Sequence, residues 1–272
     1  MTFAPGSTGR ISWSFDDVID PITRRVWTFT PSNGQPRVSL ATIDDDDPVK
    51  ILTNRFNFTL VKPATLVLKN VNLTYNGTYQ FTLSPSVGAA LSVVVVYIAV
   101  TPWVQVDCHR PPTVNITDNF TCLCEASDGN PTAYVTWYKG NEEIGESGKG
   151  EQTLRLINVK RDDAGTYRCE AKSHVSAINE TQIELIVNYK PYNTRITFIP
   201  TVAIAGNSVQ IKCDSEGFPD PHFMIVRDGE VMSTGKTHVI PRLKPSDEGT
   251  YTCIAINLLG NDSATENLNK TA

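Results

Sequence analysis

Three stretches decide the fold: Asp163-Ala-Gly-Thr-Tyr-Arg-Cys169, Asp247-Glu-Gly-Thr-Tyr-Thr-Cys253 and Tyr75-Asn-Gly-Thr-Tyr-Gln-Phe81. Each holds Gly-Thr-Tyr, then one residue, then Cys or Phe. The glycine permits a tight turn, and the tyrosine hydroxyl can tie that turn back to the chain. Each copy follows a short apolar strand pattern: Leu66-Val-Leu68, Leu154-Arg-Leu156 and Val239-Ile-Pro-Arg-Leu243. Internal repetition of this kind marks a recurring structural unit. Short β-type runs between turn signals fill the rest, and no long stretch keeps a 3.6-residue apolar period. The fold class is therefore all-β, built of sandwiches.

The repeated motif resembles the tyrosine corner of immunoglobulin domains, in which the Tyr stands two residues before the second core Cys. The resemblance covers nearly the whole chain and implies three tandem immunoglobulin-like β-sandwiches. The upstream halves agree. Cys124 precedes Trp137, the expected core Trp on the third strand, and Cys213 precedes Ile225 in the matching place. In the first unit Ile11, Trp13 and Phe15 alternate inward, and Trp27 takes the core-Trp place. Phe15 and Phe81 are then expected where the two core cysteines of this unit are missing.

Spacing separates the units. From core-Trp position to corner Tyr there are 52 residues in the first (27 to 79), 30 in the second (137 to 167) and 26 in the third (225 to 251). The surplus in the first lies where variable-type domains insert two strands. The expected domains are residues 1–101, variable-like without the core disulfide; 102–188, intermediate-type with an extra Cys pair; and 189–272, intermediate-type.

Composition fits. The 272 residues carry 24 Lys and Arg against 29 Asp and Glu, a net charge of −5, which argues against a nucleic-acid partner held through phosphates. Residues 71–106 contain no charged side chain, and Leu91–Val100 is almost wholly apolar. That run is shorter than the ~20 residues needed to span a bilayer and is rich in β-branched residues, so it reads as a buried strand. Met1-Thr-Phe-Ala-Pro5 lacks the basic region and apolar core of a leader.

The family resemblance implies inter-sheet disulfides Cys124–Cys169 and Cys213–Cys253. Cys108 and Cys122 remain; Cys122 shares a strand face with Cys124. A Cys108–Cys122 bridge is expected, with Cys108–Cys124 plus Cys122–Cys169 as the open alternative. Asn-x-Ser/Thr sequons occur at Asn57, Asn72, Asn76, Asn115, Asn119, Asn179, Asn261 and Asn269. Paired cysteines and eight sequons together point to a cell-surface, extracellular glycoprotein.

No catalytic motif is present: no HExxH, no Gly-x-Ser-x-Gly, and Gly145-Glu-Ser-Gly-Lys-Gly150 lacks the spacing of a phosphate loop. No enzyme activity, cofactor or metal is expected. Cys108-His109 with Cys122 and Cys124 lacks the CxxC spacing of a zinc knuckle. Asp44-Asp-Asp-Asp47 lacks the interspersed ligands of a calcium loop and reads as a solvated turn. It lies in the extra-strand region of the first unit, near Arg24, Arg25 and Arg37. A face carrying both signs in blocks can pair with itself about a two-fold axis. Arg24, Arg25, Arg37, Asp44 and Asp45 are thus the candidate partner-binding residues, on a sheet that includes Arg24–Phe29 and Val38–Ile43.

A disulfide-free variable-like domain followed by intermediate-type domains is similar to several immunoglobulin-superfamily adhesion groups. Vertebrate carcinoembryonic-antigen-like and lymphocyte-signalling receptors and invertebrate (cnidarian) allorecognition receptors share the missing first-domain bridge. Tyr75, where an Asp is usual at the corner, and Trp13 before the Phe of the second strand fit the vertebrate groups poorly. The chain is therefore read as most similar in architecture to the allorecognition receptors. That resemblance implies homophilic binding in trans through the first domain, to the same protein on an opposing cell. It also implies a membrane anchor in a segment outside these residues. The alternative is a heterophilic receptor for a different protein ligand.

Overall fold

The computed structural model describes residues 1–15, 22–45, 47–85 and 88–271. The chain is all-β and forms three tandem immunoglobulin-like domains. Packing divides it into two compact units, one of Met1–Asp107, Cys122–Leu154 and Tyr167–Gln182, the other of Cys108–Thr121, Arg155–Thr166 and Ile183–Ala272.

In the first compact unit, the described residues of the N-terminal sandwich form nine strands: β1 (Thr2–Phe3), β2 (Gly9–Ser12), β3 (Ile22–Pro31), β4 (Val38–Asp44), β5 (Lys50–Ile51), β6 (Phe58–Val61), β7 (Thr65–Leu68), β8 (Gly77–Pro85) and β9 (Ala90–Ile98). One sheet runs β1-β9-β8-β3-β4-β5, the other β2-β7-β6. Between Trp27 and Tyr79, β4 and then β5 extend the sheet beyond β3, as the added strands of variable-type domains do. Alternation buries Trp27, Phe29, Tyr79, Phe81, Val96 and Ile98 against Ile11, Trp13, Leu66 and Leu68.

Each tyrosine corner described in full closes as its residues require. The Tyr79 hydroxyl donates to the Tyr75 carbonyl at 3.1 Å, and the Tyr251 hydroxyl to the Asp247 carbonyl at 2.8 Å. Burial pushes the Tyr79 hydroxyl well above its ordinary pKa, so it acts only as a neutral donor. Gly77 has φ +152°, and a Cβ there would stand 2.3 Å from the Thr30 carbonyl oxygen. Only glycine fits that approach.

The missing core disulfide of this sandwich is filled by Trp13, not Phe15. Hydrogen-bond register fixes the equivalence. Trp13 N–H donates to the Ala64 carbonyl at 3.2 Å, as Cys213 N–H donates to the Lys236 carbonyl at 2.8 Å. Upstream, Gly6 pairs with Val71 as Gly206 pairs with Leu243. Trp27 lies opposite Phe81 as Ile225 lies opposite Cys253. Phe15 stands one inward position beyond, half-buried, 5.9 Å from Phe81. Counting residues to Trp27 could not resolve a two-residue slip, because both positions face inward.

The rest of this unit contains β10 (Trp103–Asp107), which pairs with β12 (Phe120–Ser127), and β13 (Tyr134–Lys139), which pairs with β14 (Glu142–Lys149) and β16 (Gly165–His174). Cys124 is bonded to Cys169 beneath the buried Trp137. That bond excludes the Cys108–Cys124 alternative. Cys108 and Cys122 are themselves disulfide-bonded, and no cysteine is free. Asn130 joins the two sandwiches here: its amide donates to the Ile98 carbonyl at 2.7 Å and to Asn76 Oδ1 at 3.2 Å.

The second compact unit holds β11 (Thr113–Asn115), which pairs in parallel with the long β17 (Ala177–Ile199), and the C-terminal sandwich. Strand β15 (Glu151–Leu156) follows β14 in the chain. The sandwich comprises β18 (Ala203–Ile204), β19 (Val209–Phe218), β20 (His222–Arg227), β21 (Glu230–Ser233), β22 (Thr237–Ile240), β23 (Gly249–Asn257), β24 (Gly260–Leu268) and β25 (Lys270–Thr271). Cys213–Cys253 closes its core around Ile225 and Tyr251. Tyr189-Lys-Pro191, expected to open this domain, lies inside β17 without a turn. Register shifts against β19 between Tyr189 and Tyr192 and between Tyr192 and Arg195 accommodate the proline, which cannot donate to a ladder.

Candidate recognition face

The outer face of the β9-β8-β3-β4 sheet can be read row by row, since cross-strand partners share a face. One row is Leu91, Thr82, Val26 and Thr42; the next is Val93, Gln80, Thr28 and Ser39; a third is Val95, Thr78 and Thr30. Leu91, Val93, Val95 and Tyr97 are 67, 48, 43 and 40 % exposed. The uncharged run expected to be a buried strand is therefore buried on one side only, through Val94, Val96 and Ile98. An apolar residue at every position hides which side is wet, and an exposed stripe of four is a signal that composition alone masked.

Three of the five candidate charged residues meet on this face. Arg24 Nε lies 3.1 Å from Asp44 Oδ1, with both side chains about half exposed. Arg37 lays its guanidinium across the middle row and donates to Thr28 Oγ1 from Nε at 2.9 Å and Nη2 at 2.6 Å. Thr28 is thereby covered. The Thr42 hydroxyl is buried without a hydrogen-bond partner among the described residues. Such a group costs about 1–3 kcal/mol until something satisfies it.

The other two candidates lie elsewhere. Arg25 points to the opposite side of β3, because it pairs with Ile43 and Leu83 in the inward alternation. Its guanidinium sits 5.8 Å over the Phe15 ring and donates to the Asp45 carbonyl at 3.4 Å. Asp45 occupies the turn after β4 with φ +47°, where its N–H donates to the Thr23 carbonyl at 2.8 Å. The short side chain of Asp tolerates that backbone. Asp46 of the acidic run lies outside the described residues. No group of three or more His, Cys, Asp or Glu is placed to hold a metal among the described residues.

The sequons fall off this face: no sequon asparagine lies on β3, β4, β8 or β9. Asn57, Asn72, Asn119, Asn261 and Asn269 are exposed. Three others are half-buried and bonded. Asn76 Oδ1 accepts from Ile98 N–H at 2.5 Å, Asn115 Oδ1 accepts from the Asn188 amide at 3.3 Å, and the Asn179 amide donates to the Pro102 carbonyl at 3.0 Å.

Tandem sandwiches with these corners and core bridges define an immunoglobulin-domain protein. Family models described as immunoglobulin domain match residues 105–173 and 193–270, together more than half of the chain, which belongs to that family. Among curated proteins, the chain is 28 % identical over 211 residues to the limbic system-associated membrane protein of Gallus gallus, covering 72 % of this chain and 60 % of that one. It is 26 % identical over 224 residues to human neural cell adhesion molecule 1, covering 75 % of this chain and 26 % of the relative. The chain thus spans less than two thirds of the length of these relatives. Among solved structures, the full ectodomain of mouse nectin-like molecule 4 superposes with a TM-score of 0.58 at 24 % identity, covering 98 % of this chain and 95 % of that one. A complex of Dpr2 Ig1–Ig2 with DIP-Theta Ig1–Ig3 gives 0.59 at 18 % identity, with 98 % and 95 % covered. These two share the fold.

Proposed function

We propose that the chain is the extracellular recognition part of a cell-surface adhesion receptor, and that it binds the same protein on an opposing cell through the outer β9-β8-β3-β4 face. The observation that carries this reading is the stripe Leu91, Val93, Val95 and Tyr97, exposed beside Arg37 and the Arg24–Asp44 pair on a face without sequons. Tyr and Arg are enriched at the energetic centre of protein interfaces, apolar neighbours exclude water around them, and charges at the edge set partner choice. Both signs on one face allow self-pairing about a two-fold axis. Domain boundaries near residues 101 and 188, homophilic pairing and the allorecognition likeness belong to this proposal. Relatives named as membrane and adhesion proteins support the cell-surface setting. A membrane anchor in flanking sequence belongs to the same proposal; no helix among the described residues is long and apolar enough to cross a membrane.

Beads coated with the chain test this. Like-coated beads should cluster, and Val95→Asp should abolish clustering. Beads that stay dispersed yet bind cells would favour a different protein as partner.

A further inference from the structure

The first domain holds a second feature that the recognition face does not use. A cleft of about 620 Å³ opens at the edge of its sandwich, lined by Arg55, Phe56, Asn57, Lys69, Asn70 and Tyr75. No carboxylate lines it. Tyr75 stands where the other two domains have Asp163 and Asp247. Its hydroxyl accepts from Asn57 N–H at 3.0 Å and donates to the Lys69 carbonyl at 3.4 Å. Lys69 N–H in turn donates to the Asn57 carbonyl at 2.8 Å. The backbone of Asn57 is therefore held at both its polar groups, while its exposed side-chain amide makes no hydrogen bond among the described residues. Asn72, on the same rim, instead turns its Oδ1 to the Thr74 N–H and hydroxyl.

We propose that this cleft seats the chain's own N-linked glycan, attached at Asn57, with the first N-acetylglucosamine residues lying against Phe56 and between the donors of Arg55, Lys69 and Asn70. Asn57-Phe58-Thr59 is a complete acceptor sequence for that modification. An amide side chain on a fixed backbone at the lip of a preformed cleft places an attached sugar next to that cleft. A neutral, hydroxyl-rich ligand suits side chains that offer amide and cationic donors around an aromatic ring. Tyr75 then has a specific role, because a carboxylate at that position could not accept from Asn57 and donate to Lys69 at once. The unusual corner residue and the sequon become one device. This inference rests on the extracellular setting proposed above, not on homophilic binding.

The test compares the full chain secreted from a glycosylating host with the same chain made in a host that lacks the pathway. Glycopeptide mass spectrometry should find Asn57 occupied. Thr59→Ala, which removes the acceptor but keeps Asn57, should lower Tm by about 4 °C or more in the glycosylated protein. It should also speed hydrogen exchange of residues 53–58, and it should do neither in the unglycosylated protein. An unmodified Asn57 in a chain whose other sequons carry glycans overturns the proposal. So does a Thr59→Ala effect of equal size in both hosts. A secreted chain with no glycan at any sequon overturns it together with the extracellular setting.

Discussion

The indole of Trp13 lies 5.5 Å from the ring of Phe81, and these two residues occupy the positions held by Cys213 and Cys253 in the C-terminal sandwich. Trp27 packs on the same Phe81 at 5.0 Å and Phe15 at 5.9 Å. Aromatic contact thus stands where a covalent bridge joins the sheets elsewhere. A core bridge constrains the unfolded chain, whereas this cluster stabilises the folded one by buried area and ring packing.

The register makes a direct prediction. A Trp13→Cys, Phe81→Cys double variant should form a disulfide, and Phe15→Cys, Phe81→Cys should keep two free thiols. Thiol titration of the folded proteins distinguishes them; the opposite pattern would place Phe15 at the bridge position. Phe81→Ala alone should cost about 3–5 kcal/mol, read as a lower urea midpoint.

Two corner glycines should differ in tolerance. A Cβ at Gly77 meets the Thr30 carbonyl at 2.3 Å, whereas at Gly249 the nearest atom is Asp228 Oδ2 at 3.3 Å. The second neighbour is the end of a side chain and can move. Gly249→Ala should lose about 1–3 kcal/mol from its backbone strain, and Gly77→Ala should lose more. Equal losses in chemical denaturation would show that the approach to Thr30 relaxes freely.

The apolar stripe should matter for binding and not for stability. Val93 and Val95 are nearly half exposed, so Val93→Ser or Val95→Asp should leave Tm within about 2 °C, as expected of surface changes within ±0.5 kcal/mol. The same variants should reduce bead clustering at least tenfold. Arg24→Glu should act on the rate of clustering and on its salt dependence, because rim charges steer encounter.

Acid should weaken the C-terminal sandwich through two named carboxylates. Asp262 accepts from Thr194 N–H at 3.0 Å, and its bonds to Thr194 hold its pKa below the ordinary range. Hydrogen bonds from the Tyr192 hydroxyl and then the Asn193 amide lower Glu216 likewise. Depressed folded values mean that this stability is complete above the unfolded values, roughly 3.9 for Asp and 4.3 for Glu, and is lost as pH falls through the folded ones. Asp262→Asn with Glu216→Gln should flatten the fall in urea midpoint below about pH 4. An unchanged slope would mean that other groups carry the acid transition.

Much of the fold is legible in local sequence. Gly-Thr-Tyr at residues 77–79, 165–167 and 249–251 announces three corners, because each residue type serves a backbone need that few others meet. The cysteines at 124, 169, 213 and 253 mark two cores, and the surplus between Trp27 and Tyr79 marks two added strands. The charged residues were legible only as a region. Arg24 and Arg25 are neighbours in sequence yet face opposite sides of β3, since strand side chains alternate.

What the sequence by itself determined is therefore the class of fold, the number of domains and the absence of a core bridge in the first. Short-range motifs carry that information. Tertiary structure alone decided that Trp13 rather than Phe15 fills the bridge position, because inward positions two residues apart look alike until a hydrogen-bond register is fixed. It alone decided that Leu91, Val93, Val95 and Tyr97 are wet while Val94, Val96 and Ile98 are dry, since a strand apolar at every position has no pattern to read. It also brought Tyr75, Lys69 and Asn57 together around one cleft, a meeting across two β-strands that no spacing in the chain encodes.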